Sequence, residues 1–205
     1  MDLLGQIDVI EKTGEIAGKE YALQTALETM YAAWEGVVLD LLDYRETGTK
    51  ILRADENVIQ TLEDHITMTQ AIAFSPFKGV FEEDIGNWDR KLNTVSEVME
   101  EWLAVQRNWM YLEPIFSSDD INKQLPLEAT RFSTVDQKWR KNMSNAMKNP
   151  GVVDFCSNEK LLIDFQESNK LLDLVSKGLS DYLETKVRER DTAFPCASAA
   201  HSARD

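Results

Sequence analysis

Several short stretches of this chain carry residue types from which catalytic or ligand sites are built. GEIAGKE, residues 14–20, superficially resembles a phosphate-binding loop, in which backbone N–H groups cradle phosphates and a lysine reaches them. That loop needs four residues between its glycines and a Ser or Thr after the lysine. Here Gly14 and Gly18 enclose three, Lys19 is followed by Glu20, and the stretch lies in a helical pattern with no preceding strand. The glycines read instead as positions that permit close helix packing.

Metal chemistry has little to draw on. A carboxylate-bridged two-metal bundle takes Glu-x-x-His from each of two helices, and His65 and His201 are the only histidines, with Glu63 and Asp64 beside His65 at the wrong spacing. His65 reads as a polar or partly buried side chain near a helix end. Glu82, Glu83 and Asp84 lack the alternating oxygens and central glycine of a calcium loop, and fit the first turn of a helix, where acids complement the dipole.

Nucleophilic catalysis leaves equally faint traces. SPFK at 75–78 and SNEK at 157–160 match Ser-x-x-Lys without the companion motifs that make that signature informative. Cys156 and Cys196 stand 40 residues apart with no Cys-x-x-Cys, and read as free thiols suited to a reducing compartment, Cys156 as a buried structural one. NMS at 142–144 matches a glycosylation acceptor but falls on an expected helix. No catalytic, cofactor-binding or metal-binding residue is assigned, and no cofactor is expected.

The formal charge of −14 and the pI near 4.6 disfavour binding to a phosphate backbone. The aromatic stretch EEWLAVQRNWMYLEPIF, residues 100–116, could in principle stack bases, but such platforms work beside a basic groove, and Arg107 is the only base between Lys91 and Lys123. Nucleic acid is therefore not an expected partner. No apolar run approaches the roughly 20 residues of a membrane span, and the N-terminus lacks the basic start of a signal peptide. The expectation is a soluble intracellular chain without a membrane partner, long enough to bury its own core.

The elements that must position these residues are mostly helical. Phe81, Ile85, Trp88, Leu92, Val95, Met99 and Trp102 step by four and three, continuing through Val105, Trp109, Leu112 and Phe116, which predicts a helix over 79–113 ended by Pro114. Leu161, Phe165, Ser168, Leu172, Val175, Leu179 and Tyr182 predict a second over 157–187 with Ser157 as N-cap. Residues 126–148 form another, with Pro126 in its first turn and NPG at 149–151 ending it. Residues 3–35 read as a helix with Ile7, Ile10, Ala17, Tyr21 and Trp34 near one face, and 55–71 as a shorter one. Between these two, 37–44 and 49–53 read as a β-hairpin turning at Gly48. FSPF at 74–77 and PIFSSDDINKQLP at 114–126 are compact breaks, and the tail TAFPCASAAHSARD reads as disordered. The fold class is mainly α, an elongated bundle of long antiparallel helices with one small β-hairpin.

Several of these pieces together carry a resemblance. QRNWMYLEPIFSSDDINKQLPLEATRF, residues 106–132, resembles the dynein heavy-chain linker, the segment preceding the AAA+ motor ring. ETGTKIL at 46–52, LEDHI at 62–66, FSPFKGVFEEDIGNWDRKL at 74–92 and KLLDLVSKGLSDYLETK at 170–186 stand in the family's order. YLEPIFSS and KGLSDYLETK are more similar to axonemal than to cytoplasmic heavy chains.

The resemblance implies a helical rod that arches over the ring as its lever and meets microtubules only indirectly, with the ring and other dynein subunits as partners, in the cytoskeleton of a cilium or flagellum. It divides the chain into 1–186, a partial linker, and 187–205, a divergent tail in which VRERD intervenes where the family has a single arginine and then Phe-Pro-Arg. The expectation is a force-transmitting segment without ATP sites, stalk or microtubule-binding tip, its hinges at the two compact breaks. Its structural seams would be Trp88, Trp102, Trp109 and Phe116 on one helix and Leu172, Leu179 and Tyr182 on the other. The rival is a stand-alone acidic helical adaptor, comparable to a spectrin-like bundle, binding a basic protein partner.

Overall fold

The computed structural model describes residues 3–193. Among them, in chain order, are α1 Leu3–Trp34, β1 Leu41–Asp43, β2 Lys50–Leu52, α2 Glu56–Ala73, α3 Glu82–Phe116, α4 Asp119–Gln124, α5 Pro126–Lys148, α6 Val152–Cys156 and α7 Glu159–Ala193. The mainly α class with one small hairpin is the expected one. Helices α3 and α7 each have 35 residues, about 50 Å at 1.5 Å per residue.

Helix α3 is the spine, packing along α7 and α2 and touching α5 and α6. Its four-and-three stripe is the buried one, with Leu92, Val95, Trp102, Trp109 and Leu112 fully enclosed. Aromatic rings join it to its neighbours. Trp102 stacks on Phe165 of α7 with centroids 5.3 Å apart, Trp109 on Trp139 of α5 at 5.3 Å, and Phe116 on Phe132 of α5 at 5.2 Å. The α7 stripe is equally well placed: Leu161, Phe165, Ser168, Leu172, Val175 and Leu179 are buried, and Tyr182 packs at the edge of the core. Near that end α5 crosses α7 closely. A Cβ on Gly178 would lie 2.5 Å from the Glu128 Oε1.

Boundaries depart from expectation where a local cue is outweighed. Pro114 does not end α3, which continues to Phe116. Proline lacks an N–H and frees the Met110 carbonyl four residues back, and the Tyr44 hydroxyl approaches that oxygen at 3.5 Å, while Phe116 stays anchored in the core. Ser157 does not cap α7. Asn158 does, its Oδ1 accepting from the Lys160 N–H at 3.0 Å. Helix α7 runs past 187 to Ala193, and the rest of the tail, with Cys196 and His201, lies outside the described residues.

The hairpin is shorter than expected, pairing Leu41 with Leu52, Leu42 with Ile51 and Asp43 with Lys50 around a turn in which Gly48 has φ +72°. The residues before it pair elsewhere, Val38 bridging to Gly151.

The stripe assigned to α1 is the largest correction. Ile7, Ile10 and Tyr21 are exposed, Tyr21 at 71%. The buried face consists of Leu27, Met30 and Trp34, backed by Leu23 and Ala26. Only the second half of the helix meets the bundle, so the apolar residues of its first half cannot share that face.

Candidate functional site

The residues singled out for chemistry do not converge. Gly14 to Lys19 lies within α1; Lys19 approaches Glu15 at 4.0 Å and holds its Nζ 5.5 Å from the Phe77 ring centre. The Ser75 Oγ accepts from the Phe77 N–H at 3.3 Å, while Lys78 reaches Glu82 at 2.9 Å. Glu82, Glu83 and Asp84 form the first turn of α3. Asn142 is buried, so its amide is closed to a glycosylating enzyme. Cys156 is buried as a free thiol with its Sγ 4.0 Å from the Met99 sulfur, and burial pushes its pKa up to about 12. At neutral pH it is a thiol packed as a small apolar group. Among the described residues no group of three or more metal-ligating side chains gathers, and no helix is long and apolar enough to cross a membrane.

His65 has a structural task. Its Nδ1 accepts from the Trp34 indole N–H at 3.0 Å, tying the end of α1 to α2. Desolvation lowers the His65 pKa, opposed by the nearby Asp64 carboxylate. A neutral ring is also what the bond requires, because the accepting nitrogen must be free of a proton.

The most organised polar group is a clasp that holds the hairpin against the bundle. Gln106, buried on α3, donates to the Leu52 carbonyl at 2.8 Å and accepts from the Leu52 N–H at 2.7 Å, so one side chain pairs the outer edge of β2. Asp136 on α5 accepts from the Trp109 indole at 3.0 Å and from Arg140 Nε at 2.8 Å. Arg140 then donates to the Thr47 carbonyl in the hairpin turn at 2.7 Å. Tyr44 completes the joint, its ring edge-on to Trp109. None of these residues was singled out from the sequence for a polar role. Gln106 and Leu52 are 54 residues apart and Arg140 and Thr47 are 93, so no local spacing announces them.

A second set of polar links joins α7 to α3 and to α5. Asn169 on α7 donates to the Glu101 backbone carbonyl on α3 at 3.1 Å. Lys138 on α5 meets Glu167 at 2.8 Å and Asp164 at 3.7 Å on α7, and this lysine holds the Glu167 carboxyl below its ordinary pKa.

Residues 1–191 match the family described as Dynein heavy chain, N-terminal region 2. The chain belongs to that family. It is 50% identical over 195 residues to Dynein axonemal heavy chain 1 of Rattus norvegicus and 48% identical over 195 residues to that of Homo sapiens, covering 95% of this chain in each case. It is 39% identical over 186 residues to Dynein axonemal heavy chain 12 of Homo sapiens, covering 91% of this chain. The chain spans about 4% of the length of the heavy chain 1 relatives and 6% of the heavy chain 12 relative.

In this dynein heavy-chain region, the block at 106–132 that carried the resemblance builds the aromatic end of α3, all of α4 and the start of α5. The two compact breaks differ in kind. The 114–126 connection is anchored in the core by Phe116 and Leu125, with the Asn122 Nδ2 donating to the Phe116 carbonyl at 3.0 Å, while most of its other residues are exposed. The 74–77 turn leaves Phe74 89% exposed.

Proposed function

We propose that this chain is a non-catalytic mechanical segment of an axonemal dynein heavy chain, the first part of its linker. It passes nucleotide-driven changes of an AAA+ ring into microtubule-based movement in the axoneme of a cilium or flagellum. The ring and other dynein subunits are its partners, and microtubules are met only through them. The observation that carries this reading is the continuous seam of α3, buried from Ile85 to Phe116 against α2, α7 and α5 in a chain matched by the dynein family over residues 1–191. A lever must transmit force without absorbing it in bending, and long helices joined by stacked rings and interhelical polar links provide that stiffness. Changes of shape would then concentrate at the compact connections, of which the exposed 74–77 turn is the less encumbered.

The test is to mix the purified chain with a dynein motor ring lacking its own linker, with and without ATP. Binding that changes with nucleotide and persists as salt is raised is expected. Salt-labile binding indifferent to nucleotide would instead mark an acidic adaptor. ATP hydrolysis by the purified chain, lost on Lys19→Ala, would contradict the non-catalytic reading.

A further inference from the structure

The stretch from Ser75 to Lys78 lies outside the buried core and takes no part in the clasp. Of the chain's five prolines only Pro76 follows a Ser or Thr, and Lys78 stands three residues after Ser75. The structure places this one Ser-Pro step in the turn between α2 and α3, where Phe74 is 89% exposed, Pro76 is exposed and Ser75 is half-buried. The Ser75 hydroxyl accepts from the Phe77 N–H at 3.3 Å and, among the described residues, donates to no group.

Three properties of this turn suit a kinase that selects serine by the proline after it. Any other residue in that position brings an N–H that needs an acceptor. Proline brings none, so an apolar pocket without an acceptor takes proline and penalises the rest. A serine before proline is also biased toward extended backbone, the form a segment takes in a kinase cleft, and Ser75 already lies outside both helices. The bonds that close the turn are long, Lys78 N–H to the Ser75 carbonyl at 3.4 Å and Phe77 N–H to the Ser75 Oγ at 3.3 Å, so opening it costs little. Lys78 supplies a positive charge downstream of the serine, and its pair with the exposed Glu82 at 2.9 Å is readily exchanged.

We propose that Ser75 is a phosphorylation site for a proline-directed Ser/Thr kinase, and that its phosphate is held by Lys78 and by Lys19 of α1. The Ser75 Oγ attacks the γ-phosphorus of ATP. The Oγ–P bond forms as the P–O bond to ADP breaks, and the hydroxyl proton passes to the kinase's carboxylate base. The product carries a charge of about −2 and three acceptor oxygens. Lys19 already lies on this turn, its Nζ 5.5 Å from the Phe77 ring centre, and its pair with Glu15 is stretched to 4.0 Å. Glu82, Glu83 and Asp84 in the first turn of α3 repel the phosphate, which favours its pairing with these two bases. The modification therefore ties the first half of α1 to the turn. The site stands on the turn's own residues and does not depend on the proposed motor role.

The experiment is to incubate the intact purified chain with Mg-ATP and a cyclin-dependent kinase–cyclin complex of proven activity on a peptide substrate, and to locate the product by intact mass and fragmentation. One phosphate per chain, on Ser75, is expected. Ser75→Ala should take up none. Pro76→Ala should react at least about tenfold more slowly, because the alanine N–H is left without an acceptor in the kinase pocket. In hydrogen exchange, amides around Lys19 should slow about two- to fourfold on phosphorylation, the worth of an exposed ion pair, and Lys19→Ala should abolish that slowing. No phosphate on the intact chain, phosphate on another hydroxyl as readily as on Ser75, or an undiminished rate for Pro76→Ala would overturn the site. Unchanged or faster exchange around Lys19 in the phosphorylated chain would overturn the tie to α1.

Discussion

Helices α1 and α7 are similar in length, 32 and 35 residues, yet the bundle uses them differently. From Leu161 to Leu179, α7 keeps one apolar stripe in steps of three and four and buries it on α3 and α5. In α1 the apolar residues change faces. Leu27, Met30 and Trp34 are buried, whereas Ile7, Val9, Ile10, Ile16 and Tyr21 point several ways from an exposed stretch. The difference teaches that helix length says little about mechanical contribution. What matters is whether one stripe persists long enough to be covered, because most helical stability in proteins comes from packing an apolar face. One part of the molecule is a self-supporting bundle, and the other is a helix that leaves it.

The largest effect that can break this comparison lies at the α3–α7 seam. Trp102→Ala should cost about 3–5 kcal/mol in urea unfolding, because it empties a fully buried site stacked on Phe165. A loss below about 1 kcal/mol, the range of surface positions, would mean the seam is not what holds the bundle. Trp102→Phe should lose far less, since the indole N–H it removes has no acceptor. Next is the hairpin clasp: Gln106→Leu strips both partners from the Leu52 backbone and should cost about 1–3 kcal/mol. The same variant should speed hydrogen exchange in residues 41–52 more than in α7.

Glycine-to-alanine changes should have opposite signs in the two regions. At Gly178 the new methyl must displace the Glu128 side chain where α5 crosses α7, and a net loss of about 1 kcal/mol is expected after the helix-propensity gain. Adding Glu128→Ala should recover part of it. At Gly14 and Gly18 a Cβ meets nothing within 4 Å, so each change should instead stabilise α1 by up to about 1 kcal/mol, seen as increased helicity in circular dichroism.

The smallest expected effect is the pH response of the α1–α2 tie. The folded His65 pKa is lowered, so its contribution is fully present above the ordinary histidine pKa near 6.5 and is lost as pH falls through the lower folded value. His65→Asn keeps an acceptor for Trp34 and does not titrate there. The stability of the unmodified chain, compared with this variant in urea midpoints between about pH 7.5 and 5, should fall more steeply toward acid. Parallel curves would remove His65 from the account.

How far the sequence disclosed this molecule follows the same division. The stripes from Ile85 to Phe116 and from Leu161 to Leu179 were legible because each is a local period, fixed by residues one turn apart and sufficient to place both seams. The family resemblance was legible for a related reason, since the 106–132 block fills the joint where α3, α4 and α5 meet. The α1 face was misjudged because the first half of the helix also carries apolar residues, Ile7, Val9, Ile10 and Ile16 among them, and only tertiary contact distinguishes them from the buried ones. The clasp was invisible because a glutamine on a helix face has no signature for a strand edge 54 residues away. Short α4 and α6 were missed because six and five residues are too few to show a period.

The most direct test of the account is residue-resolved hydrogen exchange on the isolated chain. Amides from Leu92 to Leu112 and from Phe165 to Leu179 should share the slowest, globally limited rates, while those from Val9 to Glu20 exchange close to the unstructured limit. Uniform protection from α1 through α7 would contradict the division into a self-supporting bundle and a departing helix, and so would rapid exchange along α3, which would leave the proposed lever without a rigid body.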